Sequence, residues 1–375
     1  MSRTYQICTR CIMDTSAKDI TFDNEGVCNF CTDFLNRSKD ILNMESGKKR
    51  EKLDAFIEKV KAQGKGKRYD CIIGVSGGVD SSWVLVQAVK HGLRPLAVHM
   101  DNGWNSELAQ NNIASLVKEL GVDLYTHVID WHEYKNLMQA FFDADVIDIE
   151  LLYDNAMLAV NYNMAVKHNI HYILSGSNQA TEGMRIPREW TWFKYDKKNI
   201  KNIGKIFGNV RIKTFPAIGT LGFIFNTFFR RIKWTAILDL MDYNKFEAME
   251  HLKNSYGYKP YPYKHYESIF TRFYQGYILP EKFSVDKRRL HLGTLVISGQ
   301  MTREEALAGM EGIPYATEQD LNEDRQYFIK KMGWSNQQLV DYIARPEEPH
   351  TKYGSEISLW KGFVSIYNFF QKPSK

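Results

Sequence analysis

A chain of 375 residues with 44% apolar, 25% charged and 13% aromatic residues has the composition of a folded globular protein. At about 100 to 200 residues per domain it holds two domains or one large α/β domain with additions, which excludes disordered, collagenous and fibrous classes. The 49 Lys and Arg against 44 Asp and Glu leave a net charge of +5, which suits a soluble protein with a small polyanionic ligand and is low for a dedicated nucleic-acid binder.

The chain opens on four of its five cysteines. Cys8-x2-Cys11 and Cys28-x2-Cys31, with sixteen residues between the pairs, have the spacing of a zinc site. Each pair makes a tight knuckle presenting two sulfurs, and two knuckles complete a closed tetrahedral shell, so the expected Zn2+ is structural. Met1 to Arg10 has no apolar signal-peptide core, which predicts a reducing, cytoplasmic setting in which these thiols form no disulfides. From Arg37 to Arg68 eleven basic and five acidic residues, with Leu53, Phe56, Ile57 and Val60 at helical spacing, read as a solvated helix.

Tyr69 to Val75 then reads as a buried strand running into Gly77 and Gly78, with a helix from about Ser81 to Lys90. Cys71, inside that strand, is expected to be a buried structural thiol. The pattern repeats with strand Leu96–Met100, helix Asn105–Leu120, strand Leu124–Ile129, helix Leu151–His168 and strand Tyr172–Ser175. Alternating strands and helices predict βαβ units and a parallel sheet, whose ligands sit at the carboxyl ends of the strands.

Beyond Gly176 the strand signals fade. Lys194 to Lys213 holds seven basic residues and one acidic one. The uncharged run Thr214–Phe229 is too short and too broken by Pro216, Gly219 and Gly222 to span a bilayer. It reads either as a buried or lid-packing helix or, with Phe223, Phe225, Phe228 and Phe229 before Arg230 and Arg231, as a segment touching a partner or a membrane surface. Thr302-Arg303-Glu304-Glu305 is a capping box that starts a helix.

Ser76-Gly77-Gly78-Val79-Asp80-Ser81-Ser82, between a strand and a helix, is the most informative stretch. Its glycines let the backbone approach a phosphate, the helix N-terminus supplies free N–H groups, and the serines add donors. It lacks the lysine of the G-x-x-x-x-G-K-[ST] loop.

The stretch resembles the SGGxDS loop of the N-type ATP pyrophosphatases (the PP-loop superfamily). Further stretches are similar to the N-acetyl sugar amidotransferases of bacterial surface-polysaccharide biosynthesis (WbpG/PseA type). These are the two knuckles, His99 to Trp104, Ser175 to Asn178, Lys282 to His291 and Ser298 to Ala306, and the resemblance covers about residues 5 to 355. It implies a Rossmann-like parallel sheet of the adenine nucleotide alpha hydrolase type, with an N-terminal zinc module and a helical C-terminal region. The expected boundaries are 1–45 for the zinc module, 65–190 for the ATP pyrophosphatase domain, 191–355 for a mainly helical substrate or partner region, and 356–375 for a tail.

The resemblance also implies roles. Ser76, Gly77, Gly78, Ser81 and Ser82 would wrap the phosphates of ATP, Asp80 would hold Mg2+, and Asp101 and Asn178 would lie where nucleotide and acceptor meet. Lys287 and Arg288 are candidates for neutralising charge on phosphate, or form a surface salt-bridge pair. Arg185, Arg188 and the lysines from 194 to 213 would grip a nucleotide-sugar diphosphate, or lie on a solvated loop. The implied acceptor is a UDP-linked N-acetyl sugar, whose acetamido group becomes an acetamidino group for lipopolysaccharide O-antigen or related glycans.

With Cys71 the one cysteine outside the zinc set, no thiol is placed to release ammonia from glutamine. The expectation is a separate glutaminase with a cyclase-like partner, no nucleic-acid partner and no transmembrane segment. The alternative, a tRNA-thiolating PP-loop enzyme, would need cysteines to carry sulfur or an iron–sulfur cluster, and residues 72 to 375 have none.

Overall fold

The computed structural model describes residues 4–261 and 266–371, with the side chains of the last two helical residues left aside. Five strands, β1 (Cys71–Gly74), β2 (Pro95–Asp101), β3 (Asp123–Val128), β4 (Tyr172–Ser175) and β5 (Lys233–Ala236), form one sheet in the order β3-β2-β1-β4-β5. Every pairing is parallel, from Cys71 opposite Pro95 to Tyr172 opposite Lys233. The first four strands lie where the hydrophobic runs predict them. β5 is a correction to the reading that strands end at Ser175. It is a four-residue edge strand with an exposed Lys233, too short to carry an alternating pattern.

Side chains alternate across the sheet with period two and feed two cores. Ile72, Leu96, Val98 and Ile173 point to one face, where Ala156, Ala159 and Val160 of helix Leu151–Lys167 cover them. Cys71, Ile73, Ala97, Tyr172 and Leu174 point to the other, under Val84, Leu85 and Ala88 of helix Val79–Lys90. Leu53, Ile57 and Val60 of helix Ser46–Gly64 close that second core, so the solvated helix spends its apolar stripe on the sheet.

The first core does not stop at the sheet. It continues through Cys8, Cys28 and Phe34 of the N-terminal module and through Phe270, Phe328, Leu339 and Tyr342 of the C-terminal helices. The two terminal regions are thus built onto the same apolar mass as the sheet. The capping box is present, Thr302 and Glu305 each bonding the other's backbone N–H. Residues 357–371, at the stretch expected as a tail, form a helix.

The run 214–229 divides. Phe223 packs against Tyr162, Tyr195 and Trp360, as a buried helix would. The π-type turn Phe225–Phe229 instead leaves Phe225, Phe228 and Phe229 49%, 42% and 73% exposed. Among the described residues no helix is long and apolar enough to cross a membrane.

Candidate functional site

Strand order reverses between β1 and β4, and in open parallel sheets the crevice at such a reversal, outside the carboxyl ends of the strands, is where ligands bind. Two loops rise from these strands. After β1 the chain turns through Val75 to Gly78 into helix Val79–Lys90, whose N-terminus carries no capping side chain. Gly77 has φ +85°, and a Cβ there would fall 2.9 Å from the Ala109 carbonyl oxygen, so only glycine fits. Ser76 and Ser81 fold the loop on itself: Ser81 Oγ accepts from Ser76 N–H at 3.3 Å and donates to the Gly78 carbonyl at 3.2 Å, while Gly78 N–H donates to Ser76 Oγ at 3.3 Å. Ser82 is buried in the helix.

The loop after β4 touches this turn. A Cβ on Gly176 would lie 2.8 Å from Ser81 N and 2.9 Å from Asp80 C, so the two loops meet backbone to backbone. Asn178 was expected to face nucleotide, but it is buried with its amide consumed locally. It accepts from Thr181 N–H at 2.9 Å and donates to the Gly176 carbonyl at 2.9 Å. That makes it the residue that shapes the loop. Asp101 ends β2 with Oδ1 accepting from Gly103 N–H at 2.8 Å and from Asn105 Nδ2 at 3.2 Å. Beside it His99 donates from Nδ1 to the Val75 carbonyl at 2.9 Å and accepts at Nε2 from Asn105 at 3.0 Å, tying β2 to the turn after β1.

The C-terminal half supplies a cover that the sequence pattern did not signal. The Tyr243 hydroxyl donates to Asp80 Oδ1 at 2.5 Å, and the Tyr261 hydroxyl donates to the Gly77 carbonyl at 3.2 Å. Burial first, and then the Asp80 charge, push the Tyr243 hydroxyl far above the ordinary phenol range, so it remains a donor. Tyr258 and Tyr261 are raised too, by burial first. Glu267 lies against Gly78, and its backbone accepts from Ser106 N–H at 2.8 Å, stitching the chain after 266 to the loop after β2. These residues follow one another in an aromatic stretch without periodicity.

Of the two readings left open for the basic candidates, the structure shows ion pairs for both. Arg288 forms a bidentate pair with Asp286 and donates to the carbonyls of Gly309, Gly312 and Ile313, which fills its guanidinium with structural bonds. Lys287 pairs with Glu150 at 2.7 Å, both largely buried, and Gln275 donates to the same carboxylate at 2.9 Å. Neither has a bond to the loop after β1. Likewise Arg185 pairs with Asp19 over the Phe30 ring, and Lys194 bridges Asp148 and Asp154 at 2.6 and 2.8 Å. Burial alone would raise Asp148, but Lys194 and then Lys287 hold it down at about 2.

Glu150 and Lys287 nevertheless lie on the crevice side. Asn161 of helix Leu151–Lys167 packs on Gly74, the last residue of β1. At about 1.5 Å per residue, the helix start stands roughly 15 Å beyond the strand ends.

The four N-terminal cysteines converge. Their sulfurs all lie within 4.8 Å of one another, with Cys8–Cys31 and Cys11–Cys28 at 3.8 Å. A tetrahedron with Zn–S of about 2.3 Å has sulfur–sulfur edges of about 3.8 Å, so the set fits zinc. Cys28 N–H donates to Cys8 Sγ at 3.2 Å and Met13 N–H to Cys11 Sγ at 3.3 Å, which favours the thiolate forms that a metal needs. Cys71 is fully buried in β1, and burial pushes its thiol well up, away from reactivity.

Residues 50–184 match the NAD synthase family, and residues 267–367 match the C-terminal domain of LPS biosynthesis proteins of the WbpG-like type. No curated protein matches. Similar solved structures include an NH3-dependent NAD synthetase from Campylobacter jejuni in complex with nitrate, at 16% identity and TM-score 0.33, with 72% of this chain and 98% of that one covered. An NMN synthetase from Francisella tularensis follows at 13% identity and TM-score 0.30, covering 78% of this chain and 98% of that one. Over residues 50–184 the chain is thus similar to NAD synthases, and over residues 267–367 to the C-terminal domain of WbpG-like lipopolysaccharide biosynthesis proteins.

Proposed function

We propose that this chain is an ATP-dependent amidotransferase that converts the acetamido group of a UDP-linked N-acetyl sugar into an acetamidino group for lipopolysaccharide O-antigen or a related surface glycan. The observation that carries the reading is the joining of two parts: a phosphate-type loop at the sheet's reversal, and a WbpG-like region whose first residues, Glu267 to Ile269, are bonded to Trp104–Ser106 in the neighbouring loop after β2, with the Glu267 side chain against Gly78. An amide is a poor electrophile. Its oxygen attacks the α-phosphorus of ATP, the bond to the β,γ-pyrophosphate breaks, and the O-adenylated imidate gains a good leaving group. Ammonia adds at the imidate carbon, AMP leaves with the oxygen, and the nitrogen loses protons to give the amidine.

In this reading Ser76, Gly77, Gly78 and Ser81 hold the departing pyrophosphate with their N–H and O–H groups, which matter most as charge accumulates there. Asp80, held by Tyr243, is the residue to hold Mg2+, and Asp101 faces the nucleotide at the end of β2. Zinc, bound by Cys8, Cys11, Cys28 and Cys31, would be structural, since four thiolates leave no open position. Ammonia would come from a separate glutaminase, because the one remaining thiol, Cys71, is buried in a strand. The same burial gives sulfur carriage, and hence tRNA thiolation, no support.

The test is mass spectrometry of UDP-acetamido sugars incubated with the protein, ATP and ammonium salts. The expected product has an oxygen replaced by NH, formed together with AMP and pyrophosphate. Turnover with glutamine by the purified chain alone would overturn the separate-glutaminase assignment, and no mass change with any such sugar would overturn the reaction.

A further inference from the structure

The last helix, Ile357–Gln371, carries apolar side chains beyond those that pack on the body of the protein. Trp360, Phe363 and Tyr367 share one side of it and pack on Phe193, Tyr195, Phe223 and Phe228. Leu359 and Ile366, at the seven-residue spacing that puts them on an adjacent strip, are 46% and 61% exposed. Helices of globular proteins usually turn such a strip inward.

The packed side of the helix borders a second element. Phe228 touches both Phe363 and Tyr367 at ring-centroid distances of 5.3 and 5.7 Å, so the π-type turn Phe225–Phe229 borders the helix. Phe225 and Phe229 stack on each other at 5.4 Å, and with Leu221, 67% exposed, they extend the apolar area. An apolar area built from aromatic and aliphatic tips is a docking surface rather than a scatter of single exposed residues.

Charge says what it docks to. From Lys197 to Leu238 the chain has nine basic residues and no acidic one, and from Ile357 to Lys375 three basic and no acidic. Arg230 and Arg231, directly after the turn, and Lys233, at the start of β5, are exposed. A protein partner is met as a rule by mixed charge at the rim. A mainly basic rim around protruding aromatics, in which the Glu356 carboxylate is engaged by the Lys198 and Thr220 N–H groups, fits a surface that is apolar just below a negative plane. We propose that the turn 225–229 and the helix 357–371 seat this protein on an anionic phospholipid bilayer, lying on it rather than crossing it. The proposal is independent of the reaction assigned above.

The test is sedimentation of the full chain with vesicles of phosphatidylcholine, with and without about one-third phosphatidylglycerol. Wild-type protein is expected to pellet with the anionic vesicles and to be released by salt, as screening demands. Arg231→Glu should lower the partition about fivefold, and Phe229→Ser about tenfold. Ile366→Ser, on the exposed strip, gives the same answer should Phe229→Ser fold poorly, and circular dichroism with a thermal melt reports folding in every variant. Equal binding to neutral and anionic vesicles, or none, would overturn the proposal. So would self-association seen by light scattering that Ile366→Ser abolishes.

Discussion

Arg303 donates from Nη2 to the carbonyl oxygen of Cys8 and from Nε to that of Cys11, each at 3.0 Å, so one guanidinium from the C-terminal region holds both ends of the first cysteine knuckle. Arg289 adds a bond to the Ile12 carbonyl at 2.9 Å and an ion pair with Asp14 at 2.9 Å. On the other side of the module Arg37 donates to the Gly183 carbonyl and Ser38 to Gln179, in and after the short helix that follows β4. The cysteine module is therefore a brace between the reversal loop and the helices that cover it.

Removing the metal should loosen that brace at both ends. Chelation, or Cys28→Ser, is expected to raise amide exchange across residues 179–183 and 288–308 before the sheet unfolds, and metal analysis of the native chain should give one zinc per chain. Arg303→Lys cannot make two parallel bonds to the knuckle, and should show the same local loosening with zinc still bound. Exchange confined to residues 4–31 would refute the coupling.

Gly77 tests the turn after β1. Gly77→Ala adds a methyl 2.9 Å from the Ala109 carbonyl at φ +85°, a cost of about 1–3 kcal/mol for the backbone conformation alone. The helix starting at Val79 would shift, and ATP-dependent pyrophosphate release is expected to fall by more than about a hundredfold, the usual effect of misplacing a positioning group. Gly66→Ala, at a φ of +77° with open space around it, is the control: it should cost stability and spare turnover.

The charged cluster at the start of helix Leu151–Lys167 separates two roles for Lys287. As a clamp on phosphate it would be needed for turnover; as the partner of Glu150 it is needed for packing. Lys287→Met leaves a buried carboxylate unpaired and should cost about 3–5 kcal/mol. Lys287→Met with Glu150→Gln should recover most of that in a denaturant melt. If pyrophosphate release recovers with it, Lys287 is structural; if it stays lost while the fold is regained, Lys287 serves the reaction.

Acid stability gives a separate reading of the core. His350 is buried, stacked on Trp192 at 4.7 Å, with Nδ1 donating to Asn199 Oδ1 at 2.8 Å and Nε2 accepting from Asp148 N–H at 3.3 Å. Burial lowers its folded pKa to about 4, against about 6.5 unfolded. The unfolded chain therefore binds this proton first, and stability is lost as pH falls from about 6.5 to 4, by about 3 kcal/mol if the whole shift is expressed. His350→Gln should flatten the urea-unfolding profile in that window. The further loss between 3.8 and about 2, where Asp148 gains its proton, should remain.

What could be read in advance follows from how local each signal is. The knuckles, the loop Ser76–Ser82 and the first four strands rest on spacing and on period-two runs, and the fold reproduces them. β5 escaped because an exposed four-residue edge strand carries no alternation, and the tyrosine cover escaped because Tyr243, Tyr258 and Tyr261 are brought to the loop only by tertiary packing. For Arg288 the sequence left two roles open for a related reason: a basic residue in a characteristic stretch announces its charge, but not whether Asp286, two residues away, engages it, as it does here.

Tyr243 is the residue through which that cover should act on the chemistry. Its hydroxyl donates to Oδ1 of Asp80, which restricts the carboxylate's rotation. Tyr243→Phe keeps the ring among Val79-side apolar neighbours of the second core and removes only this bond. A hydrogen bond to a charged group is worth about 1.5–3 kcal/mol, so a loss of roughly 10- to 100-fold in kcat/KM is expected. If Asp80 holds Mg2+, the loss should appear as a higher requirement for Mg2+ at fixed ATP and shrink at saturating metal. A loss that no concentration of Mg2+ relieves would place Tyr243 in the packing of the loop alone, and Asp80 would need another role.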